Sequence, residues 1–122
     1  MNVIFFEVDG VLNFEGSEAK APDNTMGIAE SRVKLLKKFV EQDKARLVLF
    51  GSWKKHWDFN DAKCTQNGVY LNKKLDRRGL HILDKTKDLD SVENEITDWL
   101  QRHPNVVNHR VLKNGDVLDD AL

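Results

Sequence analysis

"VIFFEVDGVLNF", residues 3–14, runs four apolar residues into two carboxylates spaced one residue apart, then a glycine. Short β-branched and aromatic runs bounded by a glycine read as buried strands, here residues 2–8. Side chains alternate across an extended strand, so Glu7 and Asp9 point the same way if that geometry holds through Val8. Two carboxylates held together repel, and one stays protonated unless a cation lies between them. Magnesium suits such a pair, because it seeks hard oxygens and completes its shell with water and substrate phosphate. Gly10 permits a tight turn whose backbone N–H groups cradle an anion.

Working outward, residues 13–27 are polar and form a loop of the length usually kept for a lid or binding function. Ser31 is placed to cap a helix in which Val33, Leu36, Phe39 and Val40 repeat at helical spacing. "ARLVLF", residues 45–50, is a second buried strand ending at Gly51, and a helical turn and loop follow. "GVYL", residues 68–71, reads as a third strand and "NKKLDRRG" as a solvated basic loop. Asp90 and Glu93 form a capping-box pattern for a helix with Val92, Ile96, Trp99 and Leu100 on one stripe. "VVNHRVL", residues 106–112, is a last strand, "KNGD" a turn, and "VLDDAL", residues 117–122, a terminal strand or tail.

Alternating strands and helices, with near-continuous apolar strands, predict an α/β three-layer sandwich around a mainly parallel sheet. Ligands bind such sheets beyond the carboxyl ends of the strands. Residues 7–13 and 50–54 should therefore face one crevice. At 122 residues the chain is expected to be a single domain, 1–122, without a large cap.

Composition narrows the function classes. Hydrophobic residues at 40% and charged residues at 32% fit a globular chain rather than a disordered one. A formal net charge of −1 makes no broad field for nucleic acid, which is disfavoured as a partner. No apolar run reaches the length of a membrane span, and the chain starts in a strand without a basic leader. The one cysteine, Cys64, leaves no intramolecular disulfide. A cytoplasmic location without membrane contact is the expectation. His56, His81, His103 and His109 show no metal-ligand spacing, and Trp53, Trp57 and Phe59 are expected to fill core rather than stack on bases.

"FFEVDGVLN" resembles the first motif of the haloacid dehalogenase (HAD) superfamily, a hydrophobic strand ending in Asp-x-Asp-Gly. Its "DGVLN" ending is similar to a small capless branch, the HAD domains of bacterial RNA-repair proteins. "ARLVLFGSWKKHW" resembles that branch's second strand, commonly ending in "SSW" followed by arginine, and "ENEITDWLQRHPNVVNHRVL" its last helix and strand. The resemblance implies a Rossmann-like fold and an aspartate-based phosphotransferase site. There the first acid attacks phosphorus, and the second protonates the leaving oxygen and then activates water. A hydroxyl and a basic side chain hold the phosphoryl oxygens, and acids after the last strand complete a magnesium site. Carried onto this chain, the catalytic acids are Glu7 and Asp9, and the phosphate ligands are Ser52, Lys54 and Gly10. The metal ligands are Glu7, Asp9 and Asp116, with Asp119 and Asp120 as other candidates.

Four departures set this chain apart from that pattern. Glu7 stands where the family has aspartate; the extra methylene moves the attacking oxygen by roughly 1 Å, a shift that costs on the order of a hundredfold in rate. "FGSW" keeps one hydroxyl, Ser52, and Lys54 replaces an arginine, losing the bidentate fork. The third motif's basic residue falls near Val92, with Lys85 or Lys87 as replacements. The fourth motif's acids align with Lys113 and Asn114, and Lys113 is then expected to pair with Glu7 or Asp9. The leading expectation is a phosphatase-fold protein with weak or absent hydrolysis, binding a small phosphorylated ligand, an anion or a protein partner in the old crevice. The alternative is a magnesium-dependent phosphomonoesterase with Glu7 as nucleophile and Asp9 as acid–base.

Overall fold

The computed structural model describes residues 1–116. Four parallel strands form the sheet in the order β3-β2-β1-β4: β1 Asn2–Phe6, β2 Ala45–Leu49, β3 Ile82–Lys85 and β4 Asn108–Leu112. Helices α1 (Glu30–Asp43), α2 (Gln66–Asp76) and α3 (Val92–Gln101) connect them. The predicted tail, residues 117–122 with Asp119 and Asp120, lies outside the described residues.

Alternation along β1 splits the core into two layers. Ile4 and Phe6 pack with Leu47 and Leu49 against Val33, Leu36 and Phe39 of α1 and Leu71 and Leu75 of α2. Val3 and Phe5 pack with Val48 and Phe50 against Ile96 and Trp99 of α3. Trp99 is fully buried, meets Phe5 edge to face at 5.5 Å, and donates its indole N–H to Asp84 Oδ2 at 2.7 Å. Burying a side chain of this kind contributes about 1.5–3 kcal/mol each, so the two layers hold the helices to the sheet. The result is the three-layer, Rossmann-like sandwich, with no cap domain inserted among the described residues.

Local expectations are corrected: residues 72–76 of the expected basic loop continue α2, and Phe59 is exposed rather than core. "GVYL" is helical, because Thr65 caps α2 by accepting from Gly68 N–H and Leu71 and Leu75 lie four apart on its buried face. The third strand is instead residues 82–85, beside β2. Val92 stands 39% exposed and is not packed with Ile96 and Trp99. The caps shift as well: Ala29 precedes α1 without a side-chain bond, and Ser91 caps α3 by accepting from Asn94 N–H at 3.1 Å. α1 ends at Lys44 in the left-handed conformation, φ 49°.

Candidate functional site

The strand register assembles the site. Phe6 pairs with both Leu49 and Leu112, so the chains leave β1, β2 and β4 at one level of the carboxyl edge. Glu7 N–H still reaches Leu112 O and Phe50 N–H reaches Phe6 O, which holds the three exits together. Asn114 N–H then donates to Glu7 Oε2 at 2.9 Å, while a Cβ at Gly51 would lie 2.9 Å from Glu7 Cβ. Glu7 therefore sits between the turns after β2 and β4.

Beyond Glu7 the backbone makes one helical turn, with Val11 and Leu12 N–H both donating to Val8 O. Gly10 has φ 79°, and a Cβ there would meet Asn114 Oδ1 at 2.0 Å, so only glycine fits. Asn13, 2% exposed, locks this turn by accepting from Gly10 N–H at 2.8 Å and donating to Asp9 Oδ1 at 3.1 Å. Asp9 also accepts from Trp53 Nε1 at 3.1 Å and, on Oδ2, from Ser52 Oγ at 2.7 Å. Burial pushes the Asp9 carboxyl up, but the bonds from Ser52, Asn13 and Trp53 and the charge of Lys55 outweigh it and leave it below the ordinary aspartate range. A carboxyl held low is a poor proton donor near neutral pH.

Glu7, Asp9, Gly10 and Ser52 thus meet at one edge, and Asp116 joins Asp9, Gly10 and Asn114 in lining a crevice of about 480 Å³. Lys54 does not come to it. Its ammonium turns under the short helical turn Ser52–His56 and, 7% exposed, meets Glu95 Oε1 at 2.7 Å, Asp88 Oδ1 at 2.8 Å and Lys87 O at 3.2 Å. Thr86 Oγ1 donates to the same Glu95 oxygen. Lys85 gives its ammonium to the Lys54 and Trp57 carbonyls at 3.1 and 2.6 Å, so it braces this turn too. No ion pair joins Lys113 to Glu7 or Asp9 among the described residues; its neighbour's backbone N–H holds Glu7 instead.

Among the described residues the donor set does not by itself assemble a magnesium site. Among the described residues no three carboxylate, imidazole or thiolate groups converge. The oxygens that would ligate it already accept hydrogen bonds: Glu7 Oε2 from Asn114, both Asp9 oxygens from three donors, and Asp116 Oδ2 from Lys113 N–H at 2.8 Å.

Sequence reasoning missed two cations. Arg32, in the first turn of α1, lines the crevice with Asp9, its guanidinium 5.0 Å above the Phe14 ring and donating to Val11 O. Lys55 faces a second, smaller cleft with Asp9 and Ser52. Neither carries a spacing signal, because loop folding alone brings them there. A further cleft of about 520 Å³ lies at the opposite edge of the sheet, where Arg110 and Asp43 neutralise each other.

A parallel α/β sandwich with its site residues gathered at the carboxyl edge of the strands defines a Rossmann-like domain. The chain belongs to the family described as the HAD domain in Swiss Army Knife RNA repair proteins, whose model matches residues 3–121. Domains of this superfamily generally work with magnesium. No curated protein and no solved structure matches the chain. No helix among the described residues is long and apolar enough to cross a membrane.

Proposed function

We propose that the crevice binds a phosphate ester and hydrolyses it weakly or not at all. The observation that carries this reading is the three-donor clamp on Asp9. The Ser52 hydroxyl has one proton, and it is on Asp9; Gly10 N–H is on Asn13 and the Lys54 ammonium is on Glu95. Each group that would hold a phosphoryl oxygen is already satisfied within the protein, and an acid–base carboxyl is kept ionised. Arg32 and Lys55 remain as the cations that meet the ligand's charge at the crevice. The family's occurrence in RNA-repair proteins makes a phosphorylated RNA end one ligand source; a single terminal phosphate needs no broad basic surface.

Release of phosphate from p-nitrophenyl phosphate, with and without magnesium, tests this for the chain and for Glu7→Asp. Background rates from the chain are expected, together with calorimetric binding of methyl phosphate. Robust metal-dependent turnover by the chain would overturn the reading and put Glu7 in the nucleophile's role with Asp9 as acid–base. Turnover by Glu7→Asp alone would place the loss at position 7.

A further inference from the structure

The sequence holds two Asn–Gly pairs, Asn67–Gly68 and Asn114–Gly115. Asparagine before glycine is prone to deamidation, because no Cβ on the second residue keeps its backbone nitrogen from the side-chain carbonyl. The fold treats the two pairs oppositely. Asn67 lies in the first turn of α2 and is 3% exposed. Its Oδ1 accepts from Asp23 N–H at 3.3 Å, and Gly68 N–H donates to Thr65 Oγ1 at 3.4 Å. With both reacting groups engaged and the backbone helical, a ring can close there only when α2 opens.

Asn114 is the reverse. It is exposed in the turn after β4, which is closed by Asp116 N–H to Lys113 O at 3.0 Å and Lys113 N–H to Asp116 Oδ2 at 2.8 Å. Among the described residues neither its side-chain amide nor Gly115 N–H makes a hydrogen bond. A Cβ placed at Gly115 would meet no described atom within 4 Å, so the turn is open on that side. The Asn114 side chain itself lies against Gly10 and lines the crevice with Asp9 and Asp116.

We infer that Asn114 is a deamidation site whose product puts a new carboxylate into the crevice beside Asp9. The Gly115 nitrogen loses its proton and bonds to Asn114 Cγ; the bond from Cγ to the side-chain nitrogen breaks, and that nitrogen leaves with a proton as ammonia. Water then opens the five-membered succinimide. Attack at Cγ gives aspartate, and attack at the Asn114 main-chain carbonyl gives isoaspartate, whose backbone runs through the former side chain. One water enters, one ammonia leaves, and the chain gains one negative charge without oxidant or metal. Position 114 is one of the two that align with acids of the family pattern, so ageing supplies a carboxylate where the sequence encodes an amide. A consequence for binding rests on the phosphate-ester reading above: a like charge a few ångströms from the ligand at a solvated edge weakens it roughly threefold to tenfold.

Incubation of the full chain at mildly alkaline pH, followed by ion exchange and peptide mass mapping against an unincubated sample, tests this. The two pairs fall in different tryptic peptides, since Lys73, Lys74 and Lys113 separate them. The Asn114 peptide is expected to gain one mass unit as a more acidic species grows in, faster at higher pH because the Gly115 nitrogen must lose its proton. Asn67 is expected to react more than about tenfold more slowly, because α2 must open first. Asn114→Gln is expected to abolish the acidic species. An intact Asn114, equal rates at the two pairs, or an acidic species that persists in Asn114→Gln overturns the assignment. Calorimetry with methyl phosphate reads the consequence, with weaker binding expected for Asn114→Asp than for the unaged chain. Equal affinities overturn the effect on the crevice; no binding by the unaged chain overturns the phosphate-ester reading, and the mass mapping still decides the modification.

Discussion

Replacing Gly51 with alanine probes how closely the turn after β2 packs on Glu7. Gly51 has φ 86° and ψ −169°, a region essentially confined to glycine, and placing another residue there costs about 1–3 kcal/mol. The new Cβ would also meet Glu7 Cβ at 2.9 Å and Glu7 Oε1 at 3.1 Å. Overpacking of that degree costs about 1–3 kcal/mol more. The expected loss is therefore about 2–6 kcal/mol, a large share of the ~5–15 kcal/mol that stabilises a typical domain. With a urea slope of about 2 kcal/mol/M the unfolding midpoint falls by roughly 1–3 M. It is tempting to treat Gly51 as making room for the extra methylene of Glu7. The distances argue otherwise: Glu7→Asp keeps the Cβ that makes the shorter contact and removes only the softer one at Oε1. A double-mutant cycle is expected to recover less than about 1 kcal/mol when Glu7→Asp is added to Gly51→Ala. Recovery of most of the loss would refute the argument and make glutamate's length the reason for glycine.

Lys54→Ala is expected to lose about 2–4 kcal/mol in urea unfolding, because it removes the only cation on the half-buried Glu95 carboxylate among the described residues, and Lys54→Met with Glu95→Leu should regain much of it. If Lys54 instead served a ligand, stability would hold and methyl phosphate affinity would fall. Lys44→Gly relieves a left-handed lysine at the end of α1 and is expected to stabilise by about 0.5–1 kcal/mol, read as a higher melting temperature. Asp9 has a folded-state pKa below its unfolded value, so its ionised form contributes stability above about pH 4 that is lost as pH falls through the lowered folded value. Asp9→Asn should flatten that acid limb of the stability curve, and an unchanged limb would show that the clamp contributes nothing.

Much of the architecture was legible because its signals are local and periodic. Apolar runs marked β1, β2 and β4, and Ile96 with Trp99 marked the buried stripe of α3. "GVYL" misled because four apolar or small residues fit strand and helix alike; the deciding features, the Thr65 cap and the Leu71–Leu75 spacing, lay just outside it. Val92 continued a helical stripe on paper, yet it starts the helix where the chain is still leaving the 86–91 loop, so it meets solvent.

For the site, the residues from 3 to 14 alone announced a strand ending in an acid pair and a glycine turn, since period-two alternation and turn chemistry act over a few residues. Which groups those acids would touch depended on the parallel register that brings Asn114 and Gly51 to Glu7, on the turn that sends Lys54 down to Glu95, and on the loops that deliver Arg32 and Lys55. Those partners are as many as 107 positions apart along the chain. Contacts at that separation are set by how whole layers pack, and hydrophobic spacing carries no record of them.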